Sequence, residues 1–240
     1  GTSMHEVLQT YLTVMYNDTI KVADALPLKT MLLHRMKTNY TEIMERNGGE
    51  VFCEQSDMEE FYNHGLIILD WFKKKRNMYF SKKGYELVGI EVPVNYDLPN
   101  KIKFIGYIDI VLHDTNRDRY KIIDIKTSTM GWNKYQKADK SKTDQLLLYK
   151  YFYGAEHNIP VDKIDVEYFI VKRKLYEKLD FPQRRVQTFS PASGKPSINK
   201  VMNNLNQFIN ESFIDGEYNM EHSYIKQPSK KNCRYCVFNQ

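Results

Sequence analysis

The sequence predicts an α/β fold in which a mixed central β-sheet is flanked by helices and preceded by a helical region. Two long helical patterns occupy much of residues 1–80, and three β-rich runs follow within residues 85–127. A further helix and strand complete an αβββαβ order by residue 172. Because 240 residues suit one sizeable domain, we expect a single domain with a helical region (1–80), a core (85–172) and a C-terminal region (173–240).

The first helical segment runs from Ser3 to about Tyr16 and carries an apolar stripe at helical spacing. The pattern predicts Ser3 as the N-cap, with Glu6 completing a capping box. His5 then lies in the first turn, beside the stripe. A lone histidine beside an apolar face is usually structural, but the same side chain is also a common metal ligand.

Two longer helices are predicted, from Leu28 to about Arg46 and from Asp57 to Asn77. Their methionine and aromatic stripes are typical of surfaces that face a core. The second helix ends in the basic run Lys73-Lys74-Lys75-Arg76, which suits a helix C-terminus. Such a run is usually a solvated face and can also hold phosphates, so both roles stay open.

The sheet is expected to begin near Tyr85 and to reach Val94, and Pro93 indicates an edge strand or a bulge. Glu91 in this strand either faces solvent or contributes to a functional site.

A hairpin is predicted from Lys101 to Thr127, where two β-rich runs flank a polar turn. A turn centred on Asn116-Arg117 places Asp109 directly across from Asp124, and like charges at such positions destabilise a sheet. Lys126 lies two residues beyond Asp124 and therefore projects from the same face. A divalent cation would account for both carboxylates, whereas an exposed, ordinarily charged sheet face is the alternative.

Residues Ser128–Lys142 lose periodicity and combine basic with aromatic side chains, among them Trp132, Lys134 and Lys137. Channels for single-stranded nucleic acid use this combination, because cations follow the backbone and rings stack on bases. A flexible, hydrated loop is equally consistent with the pattern.

A helix from Thr143 to about His157 presents Gln145 and Tyr149 on one face, and a strand from Ile164 to Lys172 follows it. Two further segments are predicted beyond that strand, a loop and then an amphipathic helix: Gln187–Pro196 and Ile198–Phe213.

Composition indicates a globular protein, and the positive net charge is compatible with a polyanionic partner. The sequence is 42% hydrophobic and 27% charged, and its net charge of +5 suits nucleic acid without proving it. No apolar run approaches the ~20 residues needed to cross a bilayer, so no membrane role is expected. Three cysteines are too few for a disulfide scaffold, which predicts a reducing, cytoplasmic location. The abundance of Lys, Asn and Tyr is typical of an AT-rich genome, such as that of a phage.

Two motifs in the hairpin resemble the signature of the PD-(D/E)XK nucleases: Gly106-Tyr107-Ile108-Asp109 and Asp124-Ile125-Lys126-Thr127-Ser128. Three further elements are similar to those of the RecB-like branch, which includes helicase-associated, CRISPR-associated and mitochondrial genome maintenance nucleases. They are the Gly-Thr-x-x-His element Gly1-Thr2-Ser3-Met4-His5, Glu91 in the strand before the first aspartate, and the Gln-x-x-x-Tyr element Gln145-Leu146-Leu147-Leu148-Tyr149. The resemblance spans about residues 1–172.

This resemblance implies a restriction-endonuclease-like fold and metal-dependent hydrolysis of phosphodiester bonds in DNA. It implies that Mg²⁺ or Mn²⁺ is bound by His5, Asp109, Asp124 and the backbone carbonyl of Ile125. It also implies that Glu91 is a further carboxylate of the site.

The same resemblance implies that Lys126 orients the attacking water or stabilises the transition state. Gln145 and Tyr149 would contact the substrate or support the catalytic residues. It favours an exonuclease on DNA ends or single strands in replication, recombination or repair, with a helicase or recombination protein as a partner. The alternatives are a structure- or sequence-specific endonuclease and a non-catalytic nucleic-acid-binding module.

Some RecB-like nucleases carry an iron–sulfur cluster, with one cysteine upstream of the histidine element and three near the C-terminus. This sequence offers Cys233 and Cys236, two thiolates where four are expected, and Cys53 is poorly placed to substitute. Zinc would likewise require four ligands. We therefore expect no complete cluster in this chain, although a longer chain would be able to supply the other ligands.

Overall fold

The computed structural model describes residues 1–176, 180–223 and 233. Four helices precede the sheet, and three more pack around it or follow it. They are α1 (Thr2–Asn17), α2 (Ile20–Ala25), α3 (Leu28–Arg46), α4 (Gln55–Lys75), α5 (Lys134–Ala138), α6 (Lys140–His157) and α7 (Lys195–Ser212). Short 3-10 turns lie at Arg76–Met78, Pro99–Lys101 and Val161–Lys163.

Five strands form one mixed sheet in the order β1-β2-β3-β4-β5, in which only the β3–β4 pair is parallel. They are β1 (Tyr85–Asp97), β2 (Lys103–Asp114), β3 (Arg119–Ser128), β4 (Ile164–Lys172) and β5 (Val186–Phe189). Two short strands, β6 (Phe213–Ile214) and β7 (Glu217–Tyr218), form a separate ribbon. The predicted α/β class with a mixed sheet, flanking helices and an N-terminal helical region is confirmed.

The N-terminal helices cover one face of the sheet. The apolar stripe predicted for α1 consists of Val7, Leu8, Tyr11, Leu12 and Met15, and all five are buried. They pack with side chains of α3, α4 and the sheet in one core. Burying such a side chain contributes about 1.5–3 kcal/mol. Gly65 of α4 allows α3 to come close, because a Cβ atom there would lie only 2.5 Å from Leu32 Cδ2. This packing holds the first turns of α1 beside the sheet.

Helix α6 covers the opposite face. Its side chains Leu146, Tyr149 and Phe152 are buried with Ile108 and Ile122 of the central strands. The helix ends at Asn158, whose φ of 56° lies in the left-handed region that asparagine tolerates at helix C-termini. Since β3 leads through α6 to β4, this connection makes the parallel pair of the sheet possible.

Strand β1 is an edge strand, as Pro93 indicates, and its register against β2 shifts between Leu87 and Gly89. The hairpin also has the predicted register, because His113 pairs with Tyr120 and Ile110 with Ile123. The backbone pairing between β2 and β3 ends at Ile110 and Ile123, one position before Asp109 and Asp124. Asp109 and Asp124 are therefore neighbours in the predicted register without forming a ladder pair.

Several predictions about local structure are wrong. Helix α1 begins at Thr2, and Ser3 does not cap it: its hydroxyl instead accepts a hydrogen bond from Asn39 of α3. The supposed loop at residues 128–142 contains α5 and the start of α6, and the supposed loop at residues 187–196 begins within β5. The basic run at the end of α4 is partly used internally, since Lys73 donates to the backbone oxygen of Asp24 in α2 and Arg76 to its carboxylate.

Among the residues with described positions, no helix is long and apolar enough to cross a membrane. Cys53 and Cys233 are half-buried free thiols. Cys236, the other half of the predicted Cys-x-x-Cys pair, lies outside the described residues.

Candidate active site

Helix α1 and strands β1, β2 and β3 bring five of the predicted site residues to one region of the sheet. His5 is contributed by the first turn of α1, Glu91 by the edge strand, Asp109 by β2, and Asp124 and Lys126 by β3. These side chains come from positions up to about 120 residues apart and meet because α1 packs on the sheet where β1, β2 and β3 run side by side.

Asp109 is held by the backbone of the neighbouring strand. Its Oδ2 accepts a hydrogen bond of 2.6 Å from the Ile125 amide. The side chain is 15% exposed, and burial raises the pKa of its carboxyl to about 7, with further contributions from the negative charges of Asp124 and Glu91. The Ile125 amide and Lys126 act in the opposite direction and offset only part of this increase in pKa.

Asp124 forms an ion pair with Lys126. Lys126 Nζ lies 2.8 Å from Asp124 Oδ2 and donates to Oδ1 at 3.1 Å. Oδ2 is buried and receives no hydrogen bond of good geometry, despite its closeness to the ammonium group. Burial raises the pKa of the Asp124 carboxyl, and Lys126 offsets part of that shift.

A hydrogen-bonded chain leads from Lys126 to helix α6. Lys126 Nζ donates to Gln145 Oε1 at 3.2 Å, and Gln145 Nε2 donates to the Tyr149 hydroxyl at 3.3 Å. Gly106 of β2 gives Tyr149 its space, because a Cβ atom there would lie 2.6 Å from the Tyr149 ring. The predicted Gln-x-x-x-Tyr element is therefore connected to the Asp124 carboxylate through Lys126.

Glu91 lies between two residues that pair with β2: Ile90 pairs with Ile110, and Val92 with Ile108. This register, which the sequence left open, sets Glu91 opposite Asp109. Its φ of 49° is unusual for a residue other than glycine and reflects a local backbone distortion. The negative charge of Glu91 raises the pKa of both aspartates, which is consistent with its closeness to them.

Gln9 is a residue of this region that sequence reasoning missed. Its side chain is buried, and its Nε2 donates to Glu91 Oε1 at 2.5 Å. The spacing of His5 and Gln9, one helical turn apart, was the available signal, but it does not distinguish Gln9 from any other polar residue of α1.

His5 Nδ1 lies 3.9 Å from Asp109 Oδ2. Burial, together with the positive charges of the Gly1 amino group and Lys126, lowers the pKa of His5 to about 4. The imidazole is therefore neutral near pH 7, so the contact is not a salt bridge. A neutral imidazole is the form that binds metals.

The chemistry of these donors fits a divalent cation. Carboxylate oxygens are ligands that Mg²⁺ and Mn²⁺ prefer, the carboxylates repel one another, and one buried Asp124 oxygen has no hydrogen-bond partner. The positions of the side chains do not yet form a coordination shell: no three His, Cys, Asp or Glu residues in 1–176, 180–223 and 233 are arranged to hold a metal ion. Asp109 and Asp124 instead bind the Ile125 amide and Lys126. Ile125 itself points its side chain into the core, so only its backbone is suited to contribute to the site.

The predicted nucleic-acid contacts divide into buried and accessible side chains. Trp132 is only 8% exposed, and its ring packs 4.8 Å from that of Tyr168 and 6.3 Å from that of Phe189. The ring is therefore part of the core in this structure, which does not favour the predicted stacking of Trp132 on bases. Lys134 is exposed, and Lys137 is half-buried over the Phe189 ring.

A comparison with curated proteins gave no match. The sequence model of the PD-(D/E)XK nuclease superfamily matches residues 1–240. That match includes strands β2 and β3, which carry Asp109, Asp124 and Lys126. The chain belongs to the PD-(D/E)XK nuclease superfamily.

Proposed function

We propose that this chain is a Mg²⁺- or Mn²⁺-dependent deoxyribonuclease of the RecB-like branch, an exonuclease that acts on DNA ends or single strands. The contacts of Lys126 carry the proposal: its ammonium group binds Asp124 and Gln145 at once, beside Asp109. A cation, two partly buried carboxylates and an amide from a neighbouring helix thus share one small region.

Members of the superfamily are nucleases, which act on nucleic acids, and they generally use divalent metals such as Mg²⁺ or Mn²⁺. When bound, such a cation lowers the pKa of water and neutralises charge on the scissile phosphate. The groups that would hold it here are those of the carboxylate cluster and its neighbours: His5, Glu91, Asp109, Asp124 and the Ile125 carbonyl.

The reaction is phosphodiester hydrolysis. The oxygen of a water molecule bonds to phosphorus while the bond from phosphorus to the leaving oxygen breaks, which gives a phosphate monoester and a hydroxyl group. Lys126 has the charge and the partial exposure, 33%, to orient the water or to stabilise the extra negative charge of the pentavalent transition state. Gln145 holds the ammonium group toward helix α6 in either role.

Gln145 and Tyr149 are proposed to support Lys126 from the α6 side, and Gln145 is the one of the two that the substrate would reach. Tyr149 is 7% exposed, so its hydroxyl has limited access to solvent, and its bond to Gln145 fixes the orientation of both. We propose that Tyr149 orients Gln145, which in turn fixes the position of the Lys126 ammonium group.

A cavity next to this region supports a single-stranded substrate. It has a volume of about 680 Å³ and lies between α1, α3, α4 and the residues that follow Lys126 in β3. Its walls combine aromatic rings with a cation: Tyr40, Phe52, Phe61 and Arg173, whose guanidinium carbon lies 4.6 Å from the Phe61 ring centre. Aromatic and cationic side chains together suit an unpaired strand, because rings stack on bases and cations follow the backbone. Lys134, the first residue of α5, is exposed and is a further cation available to the nucleic-acid backbone.

End-labelled linear and closed circular substrates, single- and double-stranded, test the proposal in the presence of Mg²⁺, Mn²⁺ or EDTA. We expect metal-dependent cleavage of linear single strands, resistance of circles, and no cleavage by Asp124→Asn. Cleavage of circles would identify an endonuclease instead. Binding without cleavage under every metal condition would identify a non-catalytic module, which the intact Asp109, Asp124 and Lys126 argue against.

A further inference from the structure

We propose that Gln9 is a positioning residue that holds Glu91 toward Asp109 and Asp124, and thereby sets how tightly the site binds a divalent cation. The proposal rests on the metal-dependent activity proposed above. Gln9 does not touch the reacting atoms, and it would act through the carboxylate of Glu91.

Gln9 is well placed for this role. Its side chain is only 6% exposed, within the otherwise apolar surface that α1 presents to the sheet. Nε2 donates to Glu91 Oε1 at 2.5 Å and lies 3.5 Å from the backbone oxygen of Asp109, at the outer limit of a hydrogen bond. The Gln9 amide thus contacts both β1 and β2. His5, one turn earlier in α1, lies beside Asp109 of β2.

Glu91 has a reason to leave this position. It is an exposed residue of the edge strand, and Asp109 and Asp124 repel its charge. Solvation favours rotation of its side chain outward, away from the two aspartates. Among the residues whose positions are described, Gln9 is the one hydrogen-bond partner of the Glu91 carboxylate. The left-handed backbone conformation at Glu91 is a second local constraint that helps to direct the side chain.

A purely structural role for Gln9 predicts something different. A buried amide requires a hydrogen-bond partner, and Glu91 would then serve Gln9 rather than the reverse. Loss of the amide would change stability alone, and any loss of activity would follow the loss of folded protein. The affinity of fully folded protein for the metal therefore distinguishes the two roles: a positioning role predicts weaker binding, and a structural role predicts no change.

Gln9→Met keeps the length of the side chain and removes the donor. Calorimetric titration with Mn²⁺ is expected to show 10–100-fold weaker binding, the range typical of partners that orient metal ligands. In the cleavage assay the Mn²⁺ concentration for half-maximal rate should rise by a similar factor, while the rate at saturating Mn²⁺ recovers. Thr10→Ala is the matched control: it removes a hydrogen bond within α1, from the Thr10 hydroxyl to the Glu6 carbonyl, and should leave the titration unchanged.

Glu91→Gln completes the test. If Gln9 acts through Glu91, adding Gln9→Met to Glu91→Gln should weaken Mn²⁺ binding no further. The proposal would be overturned if the double variant bound Mn²⁺ more weakly than Glu91→Gln by the full factor seen for Gln9→Met alone. An unchanged Mn²⁺ affinity in folded Gln9→Met would overturn it as well. Should Gln9→Met fail to fold in thermal melts, Gln9→Asn, shorter by one methylene group, replaces it with the same expected outcomes. Failure of the nuclease proposal is recognised separately, because the wild-type chain would then bind Mn²⁺ without cleaving any substrate.

Discussion

Lys126 Nζ lies 2.8 Å from Asp124 Oδ2 and 3.2 Å from Gln145 Oε1, so one ammonium group connects strand β3 to helix α6. The Asp124 side chain is 6% exposed, whereas that of Lys126 is 33% exposed. The cation therefore compensates a buried carboxylate from one side and faces solvent from the other. A substrate phosphate would meet it at this boundary.

Asp109→Asn and Asp124→Asn should each abolish metal-dependent cleavage. Without divalent metal, their thermal stability should be unchanged or slightly raised, because each substitution removes a buried negative charge and its repulsion by the neighbouring carboxylates. Cleavage assays and melts of metal-free protein provide the measurement, and Asp97→Asn, at an 84% exposed carboxylate of β1, is the control. Wild-type-like cleavage by Asp124→Asn would end the assignment of a nuclease site here.

Asp109 should make the stability of the metal-free protein depend on pH. Folding raises the pKa of its carboxyl from about 4 in an unfolded chain to about 7. The protonated form therefore favours the folded state: the contribution is complete below about pH 4 and is lost as the pH rises through about 7. His5 acts in the opposite direction, because folding lowers its pKa to about 4, so the Asp109 contribution is measured as the difference between wild type and Asp109→Asn. In denaturant titrations from pH 4 to 8, the stability of the wild type relative to Asp109→Asn should fall by an amount on the order of 2–4 kcal/mol. The same slope in wild type and Asp109→Asn would contradict this origin.

Lys126→Ala should abolish cleavage and leave metal binding in place, since an ammonium group is not a metal ligand. Loss of the ion pair leaves Asp124 uncompensated and should lower stability by about 1–3 kcal/mol. Lys121→Ala is a closely matched control, because Lys121 lies in the same strand, is 30% exposed and pairs with Glu167 at 2.7 Å. Equal loss of cleavage in both variants would show that activity merely follows stability.

Tyr149→Phe should reduce cleavage while the fold stays intact. The substitution removes one hydroxyl, which accepts a hydrogen bond from Gln145, and costs roughly 1 kcal/mol. Cleavage rates on single-stranded substrates and thermal melts are the measurements. Tyr16→Phe, which removes a hydrogen bond to the Ser81 carbonyl and involves no residue of the candidate site, should change stability to a similar extent without changing cleavage. Unchanged cleavage by Tyr149→Phe on every substrate would exclude a role for the hydroxyl.

Trp132→Ala should destabilise the protein by about 3–5 kcal/mol, the usual cost of deleting a large buried ring. Trp132→Phe should retain most of the stability and leave DNA affinity unchanged, since the ring packs on Tyr168 and Phe189. Lys134→Gln, at an exposed position, should instead lower DNA affinity and reduce its salt dependence. Stability and DNA affinity are measured on all three variants. Weaker DNA binding by Trp132→Phe, with unchanged binding by Lys134→Gln, would contradict a core role for Trp132 and a DNA-binding role for Lys134.

By itself, the sequence determined the elements whose signals are local. Periodicity located α3 at Leu28–Arg46 and β4 at Ile164–Lys172, and the turn at Asn116-Arg117 defined the register that brings Asp109 near Asp124. Hydrophobic spacing and turn position decide such features, and both are properties of neighbouring residues.

Only the tertiary structure decided which side chains meet across elements. Trp132 is buried because Phe189 belongs to a strand that sequence periodicity did not reveal, and a buried ring has no access to bases. Glu91 faces Asp109 because of a register shift earlier in the edge strand, and its partner Gln9 is 82 residues away. Contacts of this kind depend on how α1 packs against the sheet, and neither segment alone contains that information.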